Sequence, residues 1–92
     1  QKNKMVGSLG DCGIFSFQET KHITTLGEGG IIVTNNEEFA DKCRRIRNHG
    51  EYYRDDNSIG FNFRLTDVQA AFGLAQLRRL PRILESFRWI QV

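Results

Sequence analysis

Lys21 is the residue of this 92-residue chain best suited to covalent chemistry. It lies in a polar segment between two short apolar runs, and Ser16 precedes it at the end of the first run. A lysine held beside glycines and hydroxyl groups in a partly desolvated pocket shifts toward its neutral, nucleophilic form, which forms Schiff bases with carbonyl compounds. Because the Ser16 hydroxyl can point into the same pocket, it can donate to a phosphate oxygen. The two residues therefore predict a nucleophilic lysine beside a phosphate donor.

More polar residues and several glycines follow Lys21. Thr24 and Thr25 offer further hydroxyl donors, and residues 27–30 (Gly-Glu-Gly-Gly) allow a cofactor to approach the backbone closely. Each signal is weak alone, because a lone loop lysine is usually exposed and a glycine cluster before a strand is usually a turn. The glycines do not match a P-loop, since no Gly-Lys-Ser or Gly-Lys-Thr follows them, and no dinucleotide-binding fingerprint is present. Nucleotide hydrolysis is therefore disfavoured.

The composition is that of a small soluble chain, with 39% hydrophobic and 26% charged residues. No apolar run approaches the roughly 20 residues that span a bilayer, and the amino terminus lacks the apolar core of a signal peptide. A cytoplasmic location without membrane contact is therefore expected. The net charge of +2 does not indicate nucleic-acid binding. Cys12 and Cys43 are too few for a zinc site, so no metal site is predicted, and we interpret both as buried thiols.

Two predicted strands flank Lys21 and must position it. Residues 13–17 form a short apolar and aromatic run, and residues 31–34 form a β-branched run; both are typical of buried strands. The asparagines at 35–36 can cap a helix that the following glutamates favour, and Gly50 is a plausible end for it. The basic residues within this helix are interpreted as a solvated face.

A second helix is predicted after a long loop over residues 51–64. Thr66 and Gln69 match a capping box at its start. Pro81 is expected to break or kink it, because proline lacks a backbone N–H and clashes with the preceding turn. The expected apolar face comprises Val68, Ala71, Phe72, Ala75 and Leu80, and a further helical segment carries Ile83, Phe87, Trp89 and Ile90. The order strand, loop, strand, helix, loop, helix predicts the α/β fold class.

Six segments of the chain, taken in series, carry a family resemblance. They are residues 6–11 (Val-Gly-Ser-Leu-Gly-Asp), 15–21 (Phe-Ser-Phe to Lys), 24–30 (Thr-Thr-Leu-Gly-Glu-Gly-Gly), 47–50 (Arg-Asn-His-Gly), 60–64 (Gly-Phe-Asn-Phe-Arg) and 67–77 (Asp-Val-Gln-Ala-Ala to Gln-Leu). In this series the chain resembles the DegT/DnrJ/StrS-type sugar aminotransferases. The resemblance covers nearly the whole chain in the expected order.

The resemblance implies a partial aspartate-aminotransferase-type (fold type I) large domain and three site residues. The lysine matching Lys21 binds pyridoxal phosphate as a Schiff base and then moves protons on the substrate carbon. The serine matching Ser16 contacts the cofactor phosphate. The asparagine matching Asn62 reaches the phosphate in the neighbouring subunit's site, so a homodimer is implied. Without the resemblance, Asn62 would be interpreted as a loop asparagine in a local turn.

The resemblance also implies a reaction. The amino donor, usually glutamate in this family, leaves its nitrogen on the cofactor, and a nucleotide-linked keto-sugar then collects it and becomes an amino sugar. A sister group in the family has histidine in place of this lysine and catalyses dehydration or deoxygenation. Lys21 therefore favours transamination, and the adjacent His22 is not a replacement for it.

Complete enzymes of this family are considerably longer. Their aspartate that pairs with the pyridine nitrogen lies upstream of the matched segments, and no residue here takes its role. Residues 1–92 are therefore expected to be a fragment of the cofactor-binding large domain that ends near the start of a small C-terminal domain, with little or no activity in isolation. Two hypotheses stay open: a part of a sugar aminotransferase, or a non-catalytic fragment that acts only as a packing or dimerisation module.

Overall fold

The computed structural model describes residues 3–50 and 59–89. In chain order these residues contain strand β1 (Gly13–Ser16), strand β2 (Gly30–Val33), helix α1 (Glu37–Arg47) and helix α2 (Asp67–Arg88). The predicted order of strands and helices is confirmed, and so is the mixed α/β class. Part of the predicted loop over 51–64 lies outside the described residues.

Strands β1 and β2 pair in a two-stranded sheet. Beyond the ends of the strands, Phe17 N–H donates to the Gly29 carbonyl over 2.7 Å, and Glu19 N–H donates to the Gly27 carbonyl over 2.8 Å. From the first bond to the second, the donor advances by two residues along the chain while the acceptor moves back by two. This is the hydrogen-bond pattern of an antiparallel ladder. The chain between the strands, which includes Lys21, is therefore the connection of a β-hairpin.

The predicted burial of the strands is wrong for the described part of the chain. In β1 only Gly13 is buried, and every residue of β2 is exposed. Among the described residues no apolar side chain is buried at all. A strand face becomes buried only when a second layer covers it, and the described residues do not supply one. Cys12 is also exposed and Cys43 is half-buried, so the interpretation of both as buried thiols is wrong.

The chain divides into two compact units, which are described separately. Unit 1 comprises Gln1–Ile14 and Ile32–Arg64, and unit 2 comprises Phe15–Ile31 and Leu65–Val92.

Helix α1 in unit 1 begins as predicted. The Asn36 side chain accepts a hydrogen bond from Phe39 N–H over 3.0 Å, and two glutamates occupy the first turn. The Lys42 ammonium lies 2.8 Å from Glu38 and, by hydrogen bonding and charge, lowers the pKa of that carboxyl group. The helix ends at Arg47, and the predicted stop at Gly50 lies just beyond, where its φ of 77° is the left-handed conformation that glycine adopts readily.

Helix α2 in unit 2 begins with the predicted capping box. Thr66 Oγ1 accepts from Gln69 N–H over 3.3 Å, and the Gln69 side chain accepts from Thr66 N–H over 3.2 Å. Of the predicted break or kink at Pro81, the break is wrong, because α2 continues through Pro81 to Arg88. Pro81 has no N–H to donate to the carbonyl of Leu77, so one helical hydrogen bond is missing while the helix goes on.

The face of α2 that packs within unit 2 differs from the predicted one. Val68 is 70% exposed, and Ala71, Phe72 and Ala75 are exposed as well, so of the predicted face only Leu80 is half-buried. The half-buried positions of α2 are Gln69, Ala70, Gly73, Gln76, Leu80 and Ile83. Their spacing of three and four residues has the helical period, but the stripe is rotated around the axis. The stripe contains Gln69 and Gln76 because these side chains bond to the backbone of the segment that connects β1 to β2.

Candidate functional site

The Lys21 loop, defined as residues 17–29, connects β1 to β2 and carries the predicted nucleophile. In addition to the two ladder bonds at its base, Thr25 N–H donates to the Phe17 carbonyl over 3.2 Å. Leu26 and Gly27 adopt positive φ angles of 66° and 121°, which turn the chain back toward β2. The loop is therefore tied to its own base at several points, although it has no regular secondary structure.

Gln18 organises the tight turn on which Lys21 sits. Its backbone carbonyl accepts from Lys21 N–H over 2.9 Å. Its side-chain Oε1 accepts from Thr20 N–H over 3.0 Å and from the Thr20 hydroxyl over 2.6 Å. These bonds fix the backbone of residues 18–21, so the point from which the lysine side chain leaves the loop is defined.

The Lys21 side chain is exposed, and its ammonium group makes no hydrogen bond or ion pair with any described residue. The predicted partly desolvated pocket is therefore absent from the described part of the chain. An amine that bonds to no described residue is available to bind or react with a ligand. Any desolvation of this amine would have to come from groups other than these.

Ser16 ends β1 and lies at the base of the same loop. Its Oγ accepts a hydrogen bond from Gln18 N–H over 3.2 Å, and the residue is exposed. A hydroxyl that accepts one bond still carries a hydrogen to donate, and no described residue accepts it. Ser16 and Lys21 thus lie in one hairpin, with a free hydroxyl donor on the first and a free amine on the second.

Thr24 and Thr25, predicted as further ligand donors, take structural positions instead. Thr25 is only 2% exposed, and its hydroxyl donates to the Glu28 carbonyl over 2.9 Å inside the loop. The Thr24 hydroxyl oxygen is buried and has no hydrogen-bond partner among the described residues. Neither hydroxyl reaches the surface of the loop, so the two threonines are not donors to a bound anion in this arrangement.

Asn62 lies in unit 1, in an extended segment that bridges Asn48 in the antiparallel sense. Arg64 Nε donates to Asn62 Oδ1 over 3.1 Å, and Arg64 Nη1 donates to Asn48 Oδ1 over 3.0 Å. Phe61 and Phe63, on either side of Asn62 in the chain, stack with ring centroids 5.0 Å apart. Arg64 therefore holds the oxygen of the Asn62 amide, and the Asn62 NH₂ group makes no bond to a described residue.

The residues that hold the Lys21 loop from α2 were missed as site residues. Gln69 Nε2 donates to the Glu28 carbonyl over 3.3 Å, and Gln76 Oε1 accepts from Thr24 N–H over 3.3 Å. His22 packs its ring edge-on against Phe87, with centroids 4.8 Å apart. Periodicity could not reveal these contacts, because it ranks apolar faces and these groups are polar.

A profile of the DegT/DnrJ/EryC1/StrS aminotransferase family matches residues 1–90. The chain belongs to this family. The resemblance found in the sequence segments is thereby confirmed over almost the whole chain.

Three similar proteins illustrate the range of the family. A GDP-perosamine synthase of Caulobacter vibrioides is 49% identical over 89 residues, which are 90% of this chain and 23% of that protein. The structure of Helicobacter pylori PseC, an aminotransferase involved in the biosynthesis of pseudoaminic acid, has a TM-score of 0.78 at 43% identity and covers 88% of this chain. A GDP-4-keto-6-deoxymannose-3-dehydratase with a trapped PLP–glutamate geminal diamine has a TM-score of 0.75 at 33% identity, over 88% of this chain and 26% of its own.

The structural likeness to aminotransferases confirms the predicted fold type, a partial large domain of the fold type I class. The chain spans about a quarter of the length of the relatives that it matches, 23% in the case of PseC. Within residues 3–50 and 59–89, neither helix combines the length and apolar character needed to cross a membrane. The same residues contain no group of three or more His, Cys, Asp or Glu side chains placed to hold a metal ion.

Proposed function

We propose that the protein carrying this chain is a pyridoxal-phosphate-dependent aminotransferase that converts a nucleotide-linked keto-sugar into an amino sugar, with glutamate as the amino donor. The observation that carries the proposal is that Lys21 and Ser16 lie on one hairpin, where the Lys21 amine is exposed and neither it nor the Ser16 hydroxyl hydrogen is bonded to a described residue, in a chain of this aminotransferase family. The similar proteins support the substrate class, since their names specify GDP-linked sugars and pseudoaminic acid biosynthesis.

The residues present fit pyridoxal phosphate by the chemistry of their donors. The cofactor carries an aldehyde, which reacts with a neutral amine, and a phosphate, which takes hydrogen bonds from hydroxyl groups. Lys21 supplies a primary amine that makes no hydrogen bond or ion pair with a described residue, and Ser16 supplies a hydroxyl whose hydrogen no described residue accepts. Bound pyridoxal phosphate would supply an electron sink for negative charge that develops on the substrate carbon.

Each of the three site residues has its own task in the proposed reaction. Ser16 donates its hydroxyl hydrogen to a phosphate oxygen and so fixes one end of the cofactor. Lys21 would hold the cofactor through Nζ, and its amine would take and return a proton at the substrate carbon. Asn62, with its oxygen held by Arg64 and its NH₂ group free, donates to the phosphate in the neighbouring subunit's site. The protein is therefore proposed to act as a cytoplasmic homodimer.

Transamination is favoured over the dehydration that one similar protein catalyses. In the sister group of dehydrating enzymes a histidine replaces the lysine, whereas this chain has Lys21 at that position. The neighbouring His22 lies one position further along the loop, where its ring makes a T-shaped contact with Phe87. We further place residues 1–92 in the large domain, ending near the start of a small C-terminal domain.

Covalent capture of the cofactor tests the proposal. The purified protein is mixed with pyridoxal phosphate, reduced with borohydride, digested, and the peptides are weighed by mass spectrometry. We expect one reduced adduct on the peptide containing Lys21, and none at that position in Lys21→Ala. Lys4→Ala is the matched control, because Lys4 is an exposed lysine in unit 1, and it should leave capture at Lys21 unchanged. Equal labelling of Lys4 and Lys21 would overturn the assignment.

Mixing two inactive variants tests the role of Asn62. We expect Asn62→Asp to weaken cofactor binding by about tenfold or more, because it replaces a hydrogen-bond donor to the phosphate with a negative charge. Lys21→Ala cannot capture the cofactor at all. A mixed dimer of the two has one site with both Lys21 and Asn62 intact. Random reassociation of equal amounts makes half of the dimers mixed, so co-refolded subunits should regain about a quarter of the wild-type capture at low cofactor concentration. If mixing restores nothing, Asn62 does not serve the partner's site.

A further inference from the structure

Three positions on one face of α2 contact the Lys21 loop. Gln69, Gly73 and Gln76 are four and three residues apart, so they lie one above the other on the helix surface. Gln69 Nε2 donates to the Glu28 carbonyl and Gln76 Oε1 accepts from Thr24 N–H, each over 3.3 Å. Between them Gly73 leaves room for the loop.

The space at Gly73 is filled by the buried threonine of the loop. A Cβ atom added at Gly73 would lie 2.7 Å from Thr25 Cγ2, which is closer than such atoms approach. The Thr25 side chain therefore packs against the helix at this point, and the two glutamines bond to the loop backbone on either side. All of these contacts lie within unit 2.

We propose that Gln69 and Gln76 are positioning residues for Lys21. Thr24 N–H has no acceptor among the described residues other than Gln76, and it lies three residues after Lys21. The Lys21 ammonium makes no hydrogen bond or ion pair with a described residue, so within the described part of the chain the location of its amine depends on the backbone of the loop. A reacting group must be held near its productive geometry to react fast, and supporting hydrogen bonds provide that restraint. This inference rests on the proposed function for its chemical role.

The two glutamines use opposite ends of their amide groups, which gives a sharp test. Gln76 accepts through its oxygen, so Gln76→Glu keeps the bond and Gln76→Leu removes it. Gln69 donates through its nitrogen to Glu28 while its oxygen accepts from Thr66 in the capping box. Gln69→Glu therefore keeps the helix cap and loses the loop contact. The same change from glutamine to glutamate should be silent at position 76 and harmful at position 69.

Each variant is characterised by two measurements. The first is the hydrogen-exchange rate of the Thr24 amide without cofactor, and the second is the rate at which Lys21 captures pyridoxal phosphate, measured after reduction with borohydride. Loss of one hydrogen bond should raise Thr24 exchange and lower the capture rate by about three- to tenfold in Gln76→Leu. Gln69→Glu should lower the capture rate by a similar factor with helix content unchanged by circular dichroism. Gln76→Glu should stay within about twofold of wild type.

The outcomes separate this inference from the proposed function. If the wild-type protein shows no capture at Lys21, the proposed function fails, while Thr24 exchange in Gln76→Leu still tests the contact with α2. If wild type is captured and Gln76→Leu is captured equally fast, the positioning role is overturned. If Gln76→Leu loses α2, the pair Gln69→Glu and Gln76→Glu decides, because equal capture rates in these two variants overturn the proposal.

Discussion

Lys21→Ala in the intact protein is expected to lower the rate of amino-sugar formation by about 10³-fold. General acid–base catalysis by a positioned side chain contributes typically 10²- to 10⁴-fold, and Lys21 is the residue proposed to move the proton at the substrate carbon. Its amine is free of protein partners among the described residues, so the substitution removes the reacting group without breaking a network. Turnover per active site, with the cofactor in excess, measures the loss.

One further variant and a chemical rescue distinguish a proton carrier from a mere positive charge. Lys21→Arg keeps the charge but not the chemistry, because a guanidinium stays protonated at any working pH. It should therefore be as impaired as Lys21→Ala. Adding a small primary amine such as ethylamine should restore part of the turnover of Lys21→Ala, since a free amine can enter the vacated space. Turnover of Lys21→Arg above a tenth of wild type would contradict a role in proton transfer.

Local signals in the sequence predicted the starts of both helices well. The Thr66–Gln69 capping box and the Asn36 cap each involve groups within three residues of one another, so the interaction that defines the element is visible in the sequence itself. The position of Lys21 between two strands was predicted from the apolar runs that flank it, whereas the pairing of those strands in a hairpin was not predicted. The family segments add the assignment of Lys21, Ser16 and Asn62, which stays a prediction.

The burial of the strands and the packing face of α2 were predicted poorly, because both depend on which part of the chain packs against the element. The run of β2 is apolar and β-branched, yet it is exposed in the described part of the chain. On α2 the apolar positions Val68 and Phe72 face away, and the contact stripe begins with Gln69, because its partner is the polar backbone of the Lys21 loop. None of these partners is adjacent in sequence to the residue whose place it decides.

Gly29→Ala is expected to destabilise the hairpin that carries Lys21 by about 2 to 4 kcal/mol. A Cβ atom at this position would overlap Thr25 Oγ1 and would lie 3.3 Å from Leu65 Cδ1. Thr25 cannot move aside without cost, because it is 2% exposed and its hydroxyl donates to the Glu28 carbonyl. The φ angle of Gly29 is not in the left-handed range, so the expected loss comes from packing and from a broken hydrogen bond. Urea denaturation measures the change in the free energy of unfolding.

The control is Gly10→Ala, since a Cβ atom there would meet only the Cys12 carbonyl oxygen at 3.8 Å, and a change within about 0.5 kcal/mol is expected. A double-mutant cycle then identifies the clash. Thr25→Ala removes the hydroxyl that overlaps the new methyl group, so Gly29→Ala should cost at least about 1 kcal/mol less in that background than in wild type. If the two costs simply add, Thr25 is not the obstacle. If the two costs couple, the buried Thr25 that anchors the Lys21 loop is the reason why position 29 must be glycine.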